Sequence, residues 1–408
     1  MKRAVFAAIL TLAASHAMGQ SNIFMEQAGG TSRNPESAPM PMMMWQHGSW
    51  MLMLHGQAFF EHADDSGARG GQKTFSTNWM MASASRQLGG GVIAFRTMLS
   101  LEPATIPNRS YPELFQTGET AYGKQLIDAQ HPHDFFMELA AEYLHSFGHT
   151  TMYIYAAPVG EPALGPVAFP HRESASEIPQ APIAHHYEDS THIAYDVVTG
   201  GIVAGPLTLE GSGFHGAEPD ENRWDIDGGR IDSWSARARL RLFRTVDVQV
   251  SHGWLTHPEA VEPGYQTRTT ASISYSQPLL FGSWSTTIIR GHVYKEVHDR
   301  TLDGWTAETL LRVLSRHSLT ARFESADKDE LFPHPVLTVV PRPALPVRVF
   351  RIKSYTAGYT FDLLKSARMT TGIGANVTRY GVPTILRGFY GSHPHAVIVF
   401  LRVRAGNT

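Results

Sequence analysis

The sequence predicts an all-β fold, a closed antiparallel transmembrane barrel of about sixteen strands. Three observations predict it. Period-two alternation recurs from about residue 50 to the C-terminus, short and long connections follow one another in turn, and no apolar run beyond the first nineteen residues reaches the ~18 residues of a helical span.

The chain opens Met1-Lys2-Arg3, runs apolar from Ala4 to about Ala14 and exits through Ala17-Met18-Gly19-Gln20. A basic start, a short apolar stretch and small residues at its end predict a secretory signal peptide cut after Gly19. Residues 1–19 are therefore set aside; residues 20–48 are expected to form a Met/Pro-rich periplasmic segment and residues 49–408 the barrel. An exported chain without cysteine holds together with no disulfide. Charged residues make up 17% of the chain, under the roughly 25% of a soluble protein, and a net charge of −3 excludes the basic surface that a nucleic-acid partner needs.

Alternation is plainest where Trp234, Ala236, Ala238, Leu240 and Leu242 interleave with Ser235, Arg237, Arg239 and Arg241. Strands are expected at roughly 50–61, 75–86, 91–101, 134–146, 150–158, 191–203, 206–215, 232–243, 246–255, 265–277, 283–295, 304–314, 317–326, 348–363, 368–379 and 395–404. These lengths suit tilted membrane strands of about 9–11 residues. Short connections such as Leu88-Gly89-Gly90 and Arg244-Thr245 are each followed by a long one, at about 62–74, 102–133, 159–190, 216–231, 256–264, 296–303, 327–347 and 380–394. Short periplasmic turns and long external loops place both termini on the periplasmic side. The sheet must close, because an unpaired backbone group in hydrocarbon costs several kcal/mol. Trp50, Trp79, Trp234, Trp254, Trp284 and Trp305 lie near strand ends and suit aromatic girdles at the two interfaces.

The signal peptide, the sixteen alternating strands and the loop rhythm resemble the porin-type barrels of Gram-negative outer membranes. The resemblance covers nearly the whole mature chain and is one of architecture. It implies an outer-membrane location, lipid around the barrel, small polar solutes as partners and a water-filled lumen. Association into a homo-oligomer fits porin-type trimers, although the lipid-facing residues give no readable interface.

On the polar side of the alternation, Asp134, Glu138, Glu142, Asp196 and Glu210 are expected to form an acidic wall. Arg237, Arg239, Arg241, Arg268, Arg290, Arg312, Arg322 and Arg402 are expected to form a basic wall opposite. Such walls focus a transverse field and guide dipolar or anionic solutes. The loop at about 159–190 is expected to fold inward, with His171, Arg172, Glu173 and His185 near the constriction.

The 21 histidines gather on loops, in His131-Pro132-His133 and from His185-His186 to His192. These five (His131, His133, His185, His186 and His192) are candidate metal ligands near the channel mouth, and imidazole with carboxylate suits Zn or Cu. No spacing matches a specific zinc signature, so no cofactor is required by the sequence. Met40, Met42, Met43, Met44, Met51 and Met53 lie close to His47 and His55. This stretch resembles the Met/His-rich leader of copper-resistance outer-membrane proteins but lacks their repeated Met-x-x-Met array. A hydrolase at the rim would need a nucleophile in reach of its base; Asp189, Ser190 and His192 are close in sequence, but no Gly-x-Ser-x-Gly elbow is present. The expected function is a porin-like channel for small polar or anionic solutes and not an enzyme. Copper-type metal binding or resistance and rim hydrolysis are the alternatives.

Overall fold

The computed structural model describes residues 23–260, 262–332 and 348–406. The signal peptide expected at 1–19 lies outside them, as does most of the loop expected at 327–347.

The described strands are β1 Met43–His47, β2 Trp50–Asp65, β3 Gln72–Leu88, β4 Gly91–Leu99, β5 Tyr111–Ala121, β6 Lys124–Gln130, β7 Phe136–Phe147, β8 Thr150–Gly160, β9 Ala194–Ala204 and β10 Leu207–His215. They continue with β11 Ser233–Phe243, β12 Val246–Thr256, β13 Tyr265–Leu279, β14 Gly282–Lys295, β15 Arg300–Val313, β16 His317–Lys328, β17 Phe350–Lys365, β18 Met369–Gly381 and β19 His395–Ala405. β2, β3, β4 and β7 to β19 pair antiparallel with their neighbours, and β19 closes on β2 from Ala396↔Asp65 to Arg404↔Gln57. The result is a closed barrel of sixteen strands, each at an expected position. β1 folds back on the first residues of β2 and continues the edge that β19 leaves off.

The pleat sorts the side chains as a membrane barrel requires. Phe60, Ile154, Leu209, Val250, Ile288, Ile373 and Leu401 are exposed on the outside, while their strand neighbours are buried within. Trp254 stacks on Tyr265 at 3.8 Å between ring centres, as a girdle pair on β12 and β13. Trp79 departs from its expected girdle place: it shares parity with buried Thr77 and Met81 and packs inward between His55 and His171. No helix of the described residues is long and apolar enough to cross a membrane.

Three segments occupy the interior. Residues 161–193 fold inward between β8 and β9, where Arg172, Glu173 and His185 are buried as expected for a constriction loop. Gly291 and Gly304 leave room on the wall for Tyr187 of this loop; a Cβ at Gly291 would collide with the Tyr187 carbonyl. The β5–β6 hairpin, which alternation did not show, covers the loop end. Positive φ at Phe115, Gly118 and Asp128 breaks its pairing, which erases a period-two signal. Phe115 stacks on Tyr390 and packs on Tyr380, joining Ile183, Tyr187 and Phe350 in an apolar roof.

The third segment corrects an expectation. Residues 23–35 are not in the periplasm; they enter the barrel and are largely buried. The segment passes the β11–β12 turn, where the Ser37 hydroxyl donates to the Arg244 carbonyl at 3.0 Å. It turns at Gly30, with φ +51, where a Cβ would collide with Glu161 of the inward loop.

Candidate functional site in the filled lumen

The lumen is held by buried ion pairs whose partners sit side by side. Arg237 grips Glu210 at 2.8 Å, Arg268 meets Glu218 at 3.0 Å, and Arg322 meets Glu308 at 3.2 Å. Arg239 pairs with Asp247, and Arg312 meets Glu177 at 2.9 Å and Glu173 at 3.1 Å. Arg402 reaches Asp362 at 2.5 Å and also Glu177. The walls expected from sequence are therefore not two opposed arcs: each arginine is neutralised by a near neighbour, and the field stays local. Of the acidic set, Glu210 joins a named arginine, Glu138 pairs with Arg96 at 2.8 Å, and Asp134 takes Arg223 at 3.2 Å and the Tyr195 hydroxyl at 2.5 Å. Glu142 accepts from Gln27 at 3.0 Å.

Two residues face the other way. Arg290 shares parity with exposed Trp284 and Ile288, lies over Trp305 and pairs outside with Asp303 at 3.1 Å. Asp196 sits at a bulge, with φ +52, on the parity of exposed Val198 and Ile202, and accepts the Gly229 N–H at 2.7 Å. Arg241 faces inward, half-shielded, toward Glu36 at 3.2 Å and Glu26.

The N-terminal segment is tied to the wall by polar contacts. Gly30 N–H donates to Glu138 at 3.2 Å, Arg237 Nη2 to the Thr31 hydroxyl at 2.9 Å, and Arg239 Nη2 to the Asn34 carbonyl at 3.3 Å. Arg237 Nη1 also donates to the Gly165 carbonyl at 3.2 Å, so one guanidinium holds wall, segment and inward loop together. Cavities between these parts hold about 20 to 30 Å³, room for about one water each.

The five candidate histidines divide. His131 Nε2 lies 3.2 Å from Glu119, and His186 Nδ1 lies 3.8 Å from Glu218. His133, His185 and His192 gather instead around Phe169, with the His133 and His185 rings each 5.3 Å from the His192 ring. Burial pushes His192 down to about 3 and His185 below its ordinary value, so both imidazoles are neutral near pH 7. Asp189 is held far below the carboxylate range: burial opposes this, but Arg172 at 2.8 Å and His185 at 2.6 Å outweigh it. Ser190 offers no nucleophile to His192. Its hydroxyl meets Arg268 at 2.5 Å and Glu218 at 3.4 Å, while His192 Nδ1 lies 2.9 Å from the Asp189 carbonyl. Elsewhere, Lys295 Nζ sits among Glu259, Glu262, Asp329 and Glu330, filling with an ammonium the place a cation would take in that acidic cluster.

Sequence reasoning missed Arg96, Glu177, Arg223 and Glu308 as organising charges. Arg96 and Glu308 lie on expected strands with inward parity and were open to the same reading; Glu177 and Arg223 lie on loops, where no period assigns a side.

No family model and no curated protein matches the chain. Solved structures do. OmpF of Salmonella typhi in complex with daunomycin aligns at 10% identity over 88% of this chain and 100% of that one, with a TM-score of 0.50. An anion-selective porin from Comamonas acidovorans aligns at 9% identity over 87% and 99%, with a TM-score of 0.53. The trimer form of the Vibrio cholerae outer-membrane protein OmpT aligns at 8% identity over 87% and 99%, with a TM-score of 0.50. With its closed sheet and apolar outer face, the chain is an outer-membrane β-barrel with the sixteen-stranded fold of the porins.

Proposed function

We propose that this barrel is a gated outer-membrane channel for small polar solutes, closed by residues 23–36 and the inward loop 161–193. One observation carries the reading: from Gln27 to Glu36 the N-terminal segment meets the wall through hydrogen bonds and ion pairs, which water replaces at little net cost, while Ile23 and Phe24 pack on Leu144 and Tyr153 at its start. The local pairing of each lumen arginine supports weak ion selectivity, with a smaller preference for anions than an unpaired arginine strip would give. Side-by-side association of copies belongs to the same reading, supported by the fold shared with a protein that has a trimer form.

Planar-bilayer recording tests this. The intact chain is expected to conduct little, and a chain lacking residues 20–36 is expected to show large, stable steps. Equal, negligible conductance from both, with the shortened chain still migrating as a folded barrel before heating, would remove the channel reading.

A further inference from the structure

We propose that the outer face of β14 to β18 holds one phosphorylated lipid of the surrounding membrane, with its phosphate on Arg351, Lys353 and Arg379 and an acyl chain in the cleft beside them. The proposal goes beyond the channel reading and stands on a cleft and a charge imbalance in one place. The cleft, of about 540 Å³, lies on the outside of the barrel. Strand register explains it. Arg290, Trp305, Ser325 and Lys353 lie side by side across β14 to β17, so a small residue separates two large ones. In the next row, further from the long loops, Ala307 lies between Ile288 and Phe323. Two small side chains on neighbouring strands leave the gap that Ile288, Trp305 and Phe323 surround. Arg351 and Lys353 line its other end, where β17 leaves the connection from β16.

Charge points the same way. Asp303 answers Arg290 at 3.1 Å, and the buried Asp327 takes Nε and Nη2 of Arg351 at 2.6 and 2.7 Å, which fixes that fork and leaves its Nη1 over. Lys353 and Arg379 have no carboxylate partner among the described residues; Arg379 meets only His393 at 3.1 Å. Both are exposed, and they are diagonal neighbours, since Lys353 faces Gly381 and Tyr355 faces Arg379. Such a diagonal spans about 7–8 Å, within which two long cationic side chains meet on one anion. Gly381 puts no side chain between them. Neighbouring like charges repel, and a phosphate relieves that while accepting from guanidinium and ammonium alike. Cations at the loop end of the strands, with an apolar cleft deeper along them, match a phosphate headgroup above its chain, and basic pockets beside spanning elements take such headgroups. Trp305, 42% exposed, stands at the level between the two, where interfacial tryptophans lie.

The intact chain, folded and freed of lipid in detergent, is titrated with bisphosphorylated lipid A and read by native mass spectrometry. One lipid is expected to bind, and the same lipid stripped of both phosphates is expected to bind far less. Lys353→Gln combined with Arg379→Gln is expected to weaken binding about 30-fold, roughly a factor of five for each cation. Ser325→Leu, which fills the cleft and keeps every charge, is expected to weaken it as well. Arg368→Gln, on the exposed turn at the other end of β17 and β18, is expected to bind as the parent does. Retained heat-modifiable migration of each variant separates loss of the site from loss of the fold. Equal binding of the two lipids, or binding unchanged in the double variant, would overturn the proposal. So would inorganic phosphate displacing the lipid at millimolar concentration with Ser325→Leu silent, because the site would then serve a free anion. No readout involves conductance, so the failure of this site and the failure of the channel reading are distinguishable.

Discussion

Glu177→Gln is expected to undock the inward loop. Glu177 is fully buried, and one of its oxygens receives Arg312 at 2.9 Å, Arg404 at 3.1 Å and Arg402. The three arginines come from β15 and β19, so this single carboxylate ties the loop to two separated parts of the wall. Removing one partner from a buried ion pair costs about 3–5 kcal/mol, because the remaining charge cannot return to water. That is on the order of a hundred- to a thousandfold in the docking equilibrium. Cleavage between residues 161 and 193 by a nonspecific protease measures it: slow in the parent, fast in the variant. The same carboxylate sets a pH limit. Burial raises its proton affinity, but Arg402, Arg404 and Arg312 outweigh burial and hold Glu177 down at about 2 from 4.5. A depressed carboxylate contributes its full stabilisation above the unfolded value and loses it as pH falls through the folded one. The loop is therefore expected to remain protected at pH 4 and to open near pH 2. Opening at pH 4 to 5 would show that Glu177 does not hold it.

Arg237→Leu is expected to loosen two segments at once. Its guanidinium binds Glu210 on the wall, Thr31 of the N-terminal segment and Gly165 of the inward loop. Leucine leaves the buried Glu210 without its guanidinium, though the Tyr153 hydroxyl still donates to it at 2.8 Å, a loss of about 3–5 kcal/mol. Arg237→Lys keeps a charge for Glu210 but lacks the planar fork that reaches the other two, so a smaller loss is expected. Hydrogen exchange over residues 26–34 and 161–170 reads both effects. A rise in only one of the two, or a lysine variant as loose as the leucine variant, contradicts the shared clamp.

What was legible follows from where a period exists. Sixteen strands and the loop rhythm could be read because lipid on one side and polar groups on the other enforce alternation over nine or more residues. Arg237 and Arg239 were placed inward on that ground, correctly as to side. Arg290 failed on the same ground: Ser283 to Lys295 carries threonine and isoleucine on both faces, so parity there does not separate inside from outside, and its partner Asp303 lies on the next strand. Asp196 failed because a bulge shifts the register between Gly213 and His215 of the partner strand. Residues 23–35 and the β5–β6 hairpin have no alternation to read; what places them is chemistry on strands far away in sequence. The same holds for the histidines. Their loops could be named from sequence, but the division into His133, His185 and His192 on one side and His131 and His186 on the other depends on Glu102, Asp189 and Glu119.

Maleimide labelling of Thr31→Cys, the only thiol in an otherwise cysteine-free chain, tests most directly whether the N-terminal segment fills the lumen. Thr31 is 2% exposed beneath Arg237, whereas Ser49 lies in the open turn before β2. In the folded barrel the cysteine at 31 is expected to resist a water-soluble maleimide that labels Ser49→Cys readily. Equal rates at the two positions would place the segment outside the barrel and leave the lumen open.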